Sequence, residues 1–463
     1  MSPAHPASSL DASALGDGRT ITAIATAPGR GALAIVRVSG PDVAAIAERL
    51  LRPVPLEARR ATRVAVIDPD DGTVLDDAVA TRYFAPASFT GEDLLELTTH
   101  GGYLAPTSVL AATIRAGARQ ATPGEFTRRA VLNGKLDLLQ AEAIGDLVEA
   151  RSSAAQRQAL RQLDGGLSER VLELRRRILQ VEALLAYDID FPEEDDGPIP
   201  RERILDAAHT ALEEVRRLLA TADLGAMIHD GALVVLAGAP NVGKSSLFNA
   251  LLGEARAIVT EIPGTTRDAI EAVFDRPRWP LRLVDTAGLR ETADALEQLG
   301  IETSARYLAR AALVLACADT PSGVDEVTGL VRAHTSAPVL GVLTKADLVA
   351  HRTQMSPPGA VSARTGEGLG TLLDAIDARL AAEHGIPAGD DTPTLTRARH
   401  RAAAATAAAE LEAFQHALMR DALPASIAAI HVRHAADALA ELIGVLHTDD
   451  VLDVVFRQFC VGK

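Results

Sequence analysis

Residues 233–253 read LVVLAGAPNVGKSSLFNALLG, and within them Gly238, Gly243, Lys244 and Ser245 keep the spacing G-x-x-x-x-G-K-[ST]. An apolar run precedes the glycines and an amphipathic stretch follows them. That order predicts strand, loop, helix. Glycine lets the backbone wrap so that successive N–H groups face a phosphate. The Lys244 ammonium reaches the β- and γ-phosphates, and the Ser245 hydroxyl can ligate Mg2+. Asn241, Val242 and Ser246 complete the nucleotide-contacting stretch.

Four further pieces follow in the same block. LRLVDTAGLR is a strand candidate ending in Asp285-Thr286-Ala287-Gly288. An acid at a strand end can hold the magnesium shell, and the Gly288 N–H can face the γ-phosphate. Between them lies IPGTTRD, where Thr265 or Thr266 can offer Mg2+ a second hydroxyl. VLGVLTKAD carries Thr344, Lys345 and Asp347. A carboxylate there accepts two hydrogen bonds from the N1–H and 2-amino group of guanine; adenine lacks that pair of donors, so Asp347 selects GTP. VSARTGEG supplies Ser362 and Ala363, whose backbone can meet the guanine oxygen. Together the five pieces specify a GTPase.

Two departures stand out. The residue after D-T-A-G is Leu289, where many small GTPases carry a water-orienting Gln. The guanine motif is TKAD in place of the commoner NKAD, which weakens the expected support of the phosphate loop.

Outward from this block the periodicity changes. ITAIATAP, GALAIVRVSG, TRVAVID and DLLELTTHGG are strand candidates of a small α+β domain, and PDVAAIAERLL is an amphipathic helix with Pro41 at its entry. From Glu125 the pattern is helical. Leu160, Leu163, Leu167, Val171, Leu174, Ile178, Val181 and Leu185 step by threes and fours, with Gly165-Gly166 placed to weaken or bend the helix. Helical sequence returns after residue 382. The reading is multidomain: a lead over 1–18, an α+β domain over 19–122, a helical domain over 123–222 and 383–463, and an inserted Ras-like P-loop α/β domain over 223–382.

Net charge is −16 over 463 residues, which excludes a broad basic footprint for nucleic acid. The only cysteines, Cys317 and Cys460, exclude a disulfide scaffold. No apolar run is long enough to span a bilayer, and the first residues have neither a basic start nor an apolar stretch. The expectation is a soluble, cytoplasmic protein. The acidic run Asp190–Asp196 lacks calcium-loop spacing and reads as a linker. His431 and His434 have no cluster of metal-ligand partners around them in the sequence. The terminal FCVGK places Cys460 four from the end, but Gly462 and Lys463 fit a prenylation signal badly. Leu452, Val455, Phe456 and Phe459 instead predict an amphipathic helix that docks the tail.

With these residues in hand the chain resembles the MnmE (TrmE) family of tRNA modification GTPases. The resemblance rests on PGRGALAIVRVSG, FTGEDLLEL, HGG, PGEFTRRAVLNGKLDLLQAEAI, GAPNVGKSSLFNALL, IVTEIPGTTRD, DTAGLRETADALEQLGIE, SARTGEG and FCVGK. It implies a dimerising N-terminal domain that binds 5-formyl- or 5,10-methylene-tetrahydrofolate, with Arg37, Glu96, Lys135 and Lys463 at the folate. It implies a homodimer that joins an FAD-dependent GidA (MnmG)-type partner in a heterotetramer or larger complex. The pair would install an aminomethyl or carboxymethylaminomethyl group at C5 of the wobble uridine of tRNA. Glu297 matches the family's water-orienting glutamate, which fills the gap left by Leu289. Asn241, Thr260, Ile262 and Thr265 match a K+ shell, with Thr260 and Thr265 also beside GTP, and Thr266 matches the switch ligand of Mg2+. Cys460 is either a packed small residue or a participant in the modification.

Two other functions compete. A ribosome-assembly or signalling GTPase would carry an appended RNA-binding module, such as a G-x-x-G loop domain, and the C-terminal helices show none. A scaffold with structural nucleotide has no need of an intact Lys244, Ser245 and Asp285.

Overall fold

The computed structural model describes residues 18–190, 199–254, 270–276, 279–285, 306–348, 359–384, 393–420, 424–445, 455–456, 459 and 461–462. The chain divides into two compact units, residues 1–142 with 446–463, and residues 143–445.

In the first unit, seven strands form one sheet. They are β1 (Ile21–Ile24), β2 (Leu33–Ser39), β3 (Leu51–Arg52), β4 (Thr62–Ile67), β5 (Val74–Tyr83), β6 (Leu94–His100) and β7 (Arg119–Gln120). Their order is β3-β4-β5-β6-β2-β1-β7, and only β7 lies parallel to its neighbour, β1. Side chains alternate across a strand. Val36, Val38, Leu95 and Leu97 therefore share a face, which helices α1 (Val43–Leu50) and α2 (Leu104–Arg115) cover. In α1, Val43, Ile46, Ala47 and Leu50 make the buried face at helical spacing. Arg37 and Glu96 fall on the opposite face of the sheet, paired in register between β2 and β6. Helix α1 begins at Val43, with Asp42 as its N-cap, so Pro41 stands just outside the helix.

The tail returns to this unit. Val455 and Phe456, the helical residues described there, pack on Val131 of α3 (Glu125–Leu132) and on Leu138 and Ala141 of α4 (Leu138–Glu149). Gly124 has φ 68°, and a Cβ on it would meet the Phe456 carbonyl at 2.7 Å. Phe459 is half-buried on the same cluster, and Leu452 lies outside the described residues.

The second unit holds a helical layer and an α/β layer. Helices α5 (Ser153–Leu163), α6 (Gly166–Asp190), α7 (Arg201–Leu219) and α8 (Ala222–Asp230) precede the α/β block. That block runs β8 (Ala232–Ala237), α9 (Lys244–Glu254), β9 (Ile270–Phe274), β10 (Leu281–Asp285), β11 (Leu313–Ala318), α10 (Pro321–Arg332), β12 (Val339–Leu343) and α11 (Leu369–His384). Helices α12 (Ala398–Met419) and α13 (Ala425–Ile443) follow it. The sheet order is β12-β11-β8-β10-β9, parallel except for β9 against β10. Val234, Leu236, Leu283 and Leu315 meet Leu247, Leu251, Leu372 and Ile376 in its core. Helices α12 and α13 pack against α6 and α7. The helical domain is thus made from both flanks, with the P-loop domain inserted between them.

The long apolar stripe is broken where the glycines stand. Gly165 has φ 95°, a left-handed turn that ends one helix and starts the next. The stripe from Leu167 to Leu185 is buried along α6, whereas Leu160 on α5 is 43% exposed. Among the described residues, no helix is long and apolar enough to cross a membrane.

Candidate active site

The phosphate loop leaves β8 at Gly238 and enters α9 at Lys244. A Cβ at Gly238 would come within 2.2 Å of the Cys317 carbonyl, so only glycine fits. Asn241 and Gly243 have φ 63° and 103°, which makes the loop turn tightly. Lys244 is buried and donates to the carbonyls of Gly238 and Ala239 at 3.0 and 2.8 Å. The helix N-terminus adds partial positive charge at the same place. These features suit a chain of phosphates.

Ser245 Oγ donates to Asp285 Oδ2 at 2.5 Å. A hydroxyl and a buried carboxylate therefore stand together at the start of α9. Such oxygens suit Mg2+, which keeps water and phosphate oxygens for much of its shell. Among the described residues, no group of three or more His, Cys, Asp or Glu could hold a metal ion.

The base-reading pieces also converge. Thr344 Oγ1 donates to the Val242 carbonyl, and Lys345 Nζ to the Asn241 carbonyl. Ser362 Oγ donates to Asp347 Oδ1 at 2.8 Å, which aims the carboxylate, and Ala346 N donates to the Val361 carbonyl at 3.0 Å. Ala363 follows Ser362 at the half-buried rim, and Ser246 is exposed on the first turn of α9. Thr260, Ile262, Thr265, Thr266, Gly288 and Glu297 lie outside the described residues. Cys317 lies under the loop as a buried thiol, pushed up to about 12 by burial, and is a packing group.

In the first unit, Arg37 Nη2 and Nε donate to Glu96 Oε1 at 2.8 and 3.0 Å. The Arg37 guanidinium also lies 5.3 and 5.7 Å from the rings of Phe89 and Phe126. Sequence reasoning left both aromatics unassigned, although each sits in a stretch that carries the resemblance. Lys135 Nζ donates to the Pro86 carbonyl at 3.1 Å. Gly462 is buried with φ 99°, and a Cβ there would meet the Ile24 carbonyl at 2.5 Å. Ala23 of β1 is the register partner of Arg37, so Gly462 ends beside that strand pair. Cys460 and Lys463 lie outside the described residues.

A second polar cluster went unread in the sequence. Asp146 on α4 accepts from His229 Nε2 at 3.1 Å and from Arg397, while His229 Nδ1 pairs with Asp230 at 2.8 Å. The hydrogen bonds to Asp146 and then Asp230 raise the His229 pKa to about 9 against the opposing effect of burial. The cluster joins the helices to the chain entering and leaving the α/β domain.

Comparison with known proteins shows the family. A family model described as the MnmE helical domain matches residues 138–460, and one described as the GTP-binding protein TrmE N-terminus matches residues 20–135. A tRNA modification GTPase MnmE from Moorella thermoacetica is 42% identical over 462 residues, covering 96% of this chain and 99% of its own. The protein of the same description from Chloroflexus aurantiacus is 44% identical over 459 residues, with the same coverage. The chain belongs to the MnmE family of tRNA modification GTPases. It is accordingly a GTP hydrolase of tRNA modification that uses GTP and Mg2+. The solved G domain of the T. maritima FeoB iron transporter is 26% identical over 33% of this chain and 97% of its own, with a TM-score of 0.24.

Proposed function

We propose that this chain is a K+-activated, Mg2+-dependent GTPase that works with an FAD-dependent GidA/MnmG-type partner. Together they install an aminomethyl or carboxymethylaminomethyl group at C5 of the tRNA wobble uridine. A tetrahydrofolate supplies the carbon, held by Arg37, Glu96, Lys135 and Lys463. The observation that carries this reading is Gly462 seated against the end of β1, the strand paired with the β2 that bears Arg37. It brings the last residues toward the cations and aromatics of the N-terminal sheet. The carboxylate of Glu96 suits the amino and ring N–H edge of a pterin, and lysines suit the acidic tail of a folate.

In the nucleotide site, Lys244 and the α9 N-terminus stabilise charge on the phosphates, Ser245 and Asp285 hold the metal side, and Asp347 reads guanine. Glu297 orients the attacking water. The Asn241 side chain is exposed at the loop, where its amide oxygen suits K+. Leu33, Tyr103 and Leu104 are exposed apolar side chains of the first unit, which supports dimerisation there. The net charge of −16 agrees with leaving most tRNA contact to the partner. In this reading a lead over 1–18 precedes a folate-binding domain over 19–122, and a helical domain over 123–222 and 383–463 carries the GTPase domain inserted at 223–382.

The test is mass spectrometry of wobble nucleosides from cells lacking the chain, complemented with the full chain or one ending at residue 458. The modified uridine should vanish, return with the full chain, and stay absent with the shortened one, although that chain still hydrolyses GTP faster in K+ than in Na+. Unchanged nucleosides in the deletion strain would refute the assignment. A shortened chain that binds formyl-tetrahydrofolate normally would remove the tail from the pocket.

A further inference from the structure

One strand pair of the α/β domain touches both the nucleotide site and the helical domain. Strands β9 and β10 are paired along their whole length, with Ile270 opposite Asp285 and Phe274 opposite Leu281. At about 3.4 Å per residue the pair spans about 14 Å. At one end Asp285 takes the Ser245 hydroxyl at 2.5 Å. At the other, Asp275 follows Phe274, and its Oδ2 accepts from the backbone N–H of Ser153 at 3.1 Å, across 122 residues of sequence. Ser153 is the first residue of α5 in the helical domain.

Helix α5 needs that contact. The first N–H groups of a helix have no partner within it. Ser152 Oγ satisfies one of them, accepting from Ala155 N at 3.0 Å. The Ser153 N–H is satisfied from the α/β domain, by a carboxylate that also suits the positive end of the helix. The next residue fixes the carboxylate's own side, since Arg276 donates to Asp377 and Asp374 of α11 at 3.0 and 3.2 Å. The grip on α5 is nevertheless incomplete. Asp275 Oδ1 is buried without a hydrogen-bond partner among the described residues. A cleft of about 650 Å³ adjoins the contact, with Arg151, Ala155 and Gln158 on the helical wall and Val273, Pro280 and Arg282 on the strand wall. A half-satisfied carboxylate beside an open cleft is a contact that a small shift makes or breaks.

The nucleotide end supplies a cause of such a shift. Ser245 and Asp285 share a hydrogen bond that has to open for both to serve Mg2+. Five register pairs carry a displacement of Asp285 to Phe274, and β9 is the edge strand of its sheet. We infer that Asp275 is a positioning residue that couples the nucleotide site to the helical domain. It caps α5 from the strand pair that ends in the metal-side carboxylate, so its hold on α5 follows what the nucleotide site contains. Coupling requires such an element, whose arrangement both sites bias. The plain alternative is a fixed cap that stabilises α5 alike in every state. The inference rests on Lys244, Ser245 and Asp285 as the nucleotide site.

The experiment is hydrogen–deuterium exchange of the full chain in K+ and Mg2+, without nucleotide, with GDP, and with GDP plus aluminium fluoride. Peptides over residues 151–158 report the first turn of α5, and peptides over 238–248 report the phosphate loop. The wild-type α5 peptide should exchange at rates that differ about threefold or more between the two nucleotide states. Asp275→Ala should raise that exchange about tenfold and remove the difference, a loss of the size expected for a helix cap. Asp275→Asn keeps an acceptor for the Ser153 N–H and should restore the difference. Reciprocity holds the change in nucleotide affinity to about the same threefold. Melting of the nucleotide-free chain checks that each variant folds, and the wild-type comparison stands without either variant. Equal α5 exchange in both nucleotide states, with the phosphate loop protected, would overturn the inference alone. A difference that survives in Asp275→Ala would overturn it too, because the coupling would then run elsewhere. A phosphate loop that GDP leaves unprotected would remove the nucleotide-site reading and the inference together.

Discussion

The nucleotide site and the N-terminal site are made rigid by different means. In the first, the loop reaches back on itself, with Lys244 donating to carbonyls six and five residues upstream, and residues at the ends of neighbouring strands tie it down. In the second, Arg37 and Glu96 come from strands 59 residues apart, and a tail from the far end of the chain docks on the same unit. A loop that closes locally fails through the loss of one direct contact with its ligand. A wall assembled from distant segments can open at one seam while the other site keeps working.

The sharpest way to break the first site is Lys244→Ala. It removes a charge-assisted contact with phosphate and should weaken nucleotide binding by on the order of a hundredfold or more. Glu297→Ala should keep affinity and lower turnover by roughly a hundredfold to ten-thousandfold, because a group acting on water contributes to the transition state alone. Fluorescent-nucleotide titration and phosphate release measure the two effects. Equal losses of affinity in both variants would show that Glu297 serves binding.

The seam of the second site is Gly462. An alanine there would need φ 99° and a Cβ 2.5 Å from the Ile24 carbonyl. Strain of this kind is worth about 1–3 kcal/mol, enough to displace a docked tail. Gly462→Ala should therefore weaken formyl-tetrahydrofolate binding on the order of tenfold, with GTP hydrolysis unchanged. Gly124→Ala, which presses on the same tail through the Phe456 carbonyl, should act in the same direction. Calorimetric titration checks both variants. A loss of GTP hydrolysis equal to the loss of folate binding would contradict the separation of the sites.

The same contrast explains what the sequence made legible. The phosphate loop is chemistry by consecutive residues, so its spacing is its signature. The Arg37–Glu96 pair has no local signature: each is an ordinary charge until the register of β2 on β6 is known. Strand β5 escaped notice because its buried positions are the small Ala78 and Ala80, next to two charged residues, Asp76 and Asp77. The helix break at Gly165 was half legible, since glycine permits a turn but only its φ of 95° establishes one. The Asp146 cluster was hidden by distance, its partners lying 83 and 251 residues along the chain.

That cluster yields the smallest effect and tests a third kind of rigidity, the seam within the second unit. His229 is held above its ordinary 6.5 at about 9, first by its hydrogen bond to Asp146 and then by Asp230. Asp146 comes from α4, Asp230 from the end of α8, and Arg397 from the returning segment, while Glu149, Arg151 and Arg282 line the adjoining cleft. A histidine whose folded pKa is raised adds stability that is complete below the unfolded value and is lost as pH rises through the folded one. The window is therefore about pH 6.5 to 9. The full rise corresponds to at most about 3 kcal/mol. The side chain is 30% exposed and Arg397 shares Asp146, so screening brings the expected contribution nearer ~1 kcal/mol. His229→Gln should reduce stability more at pH 6 than at pH 10, by that amount, in urea unfolding of the full chain. Other groups titrate over the same range, but they cancel in the difference between variant and wild type. Parallel curves at every pH would mean that the His229 charge does not hold the seam.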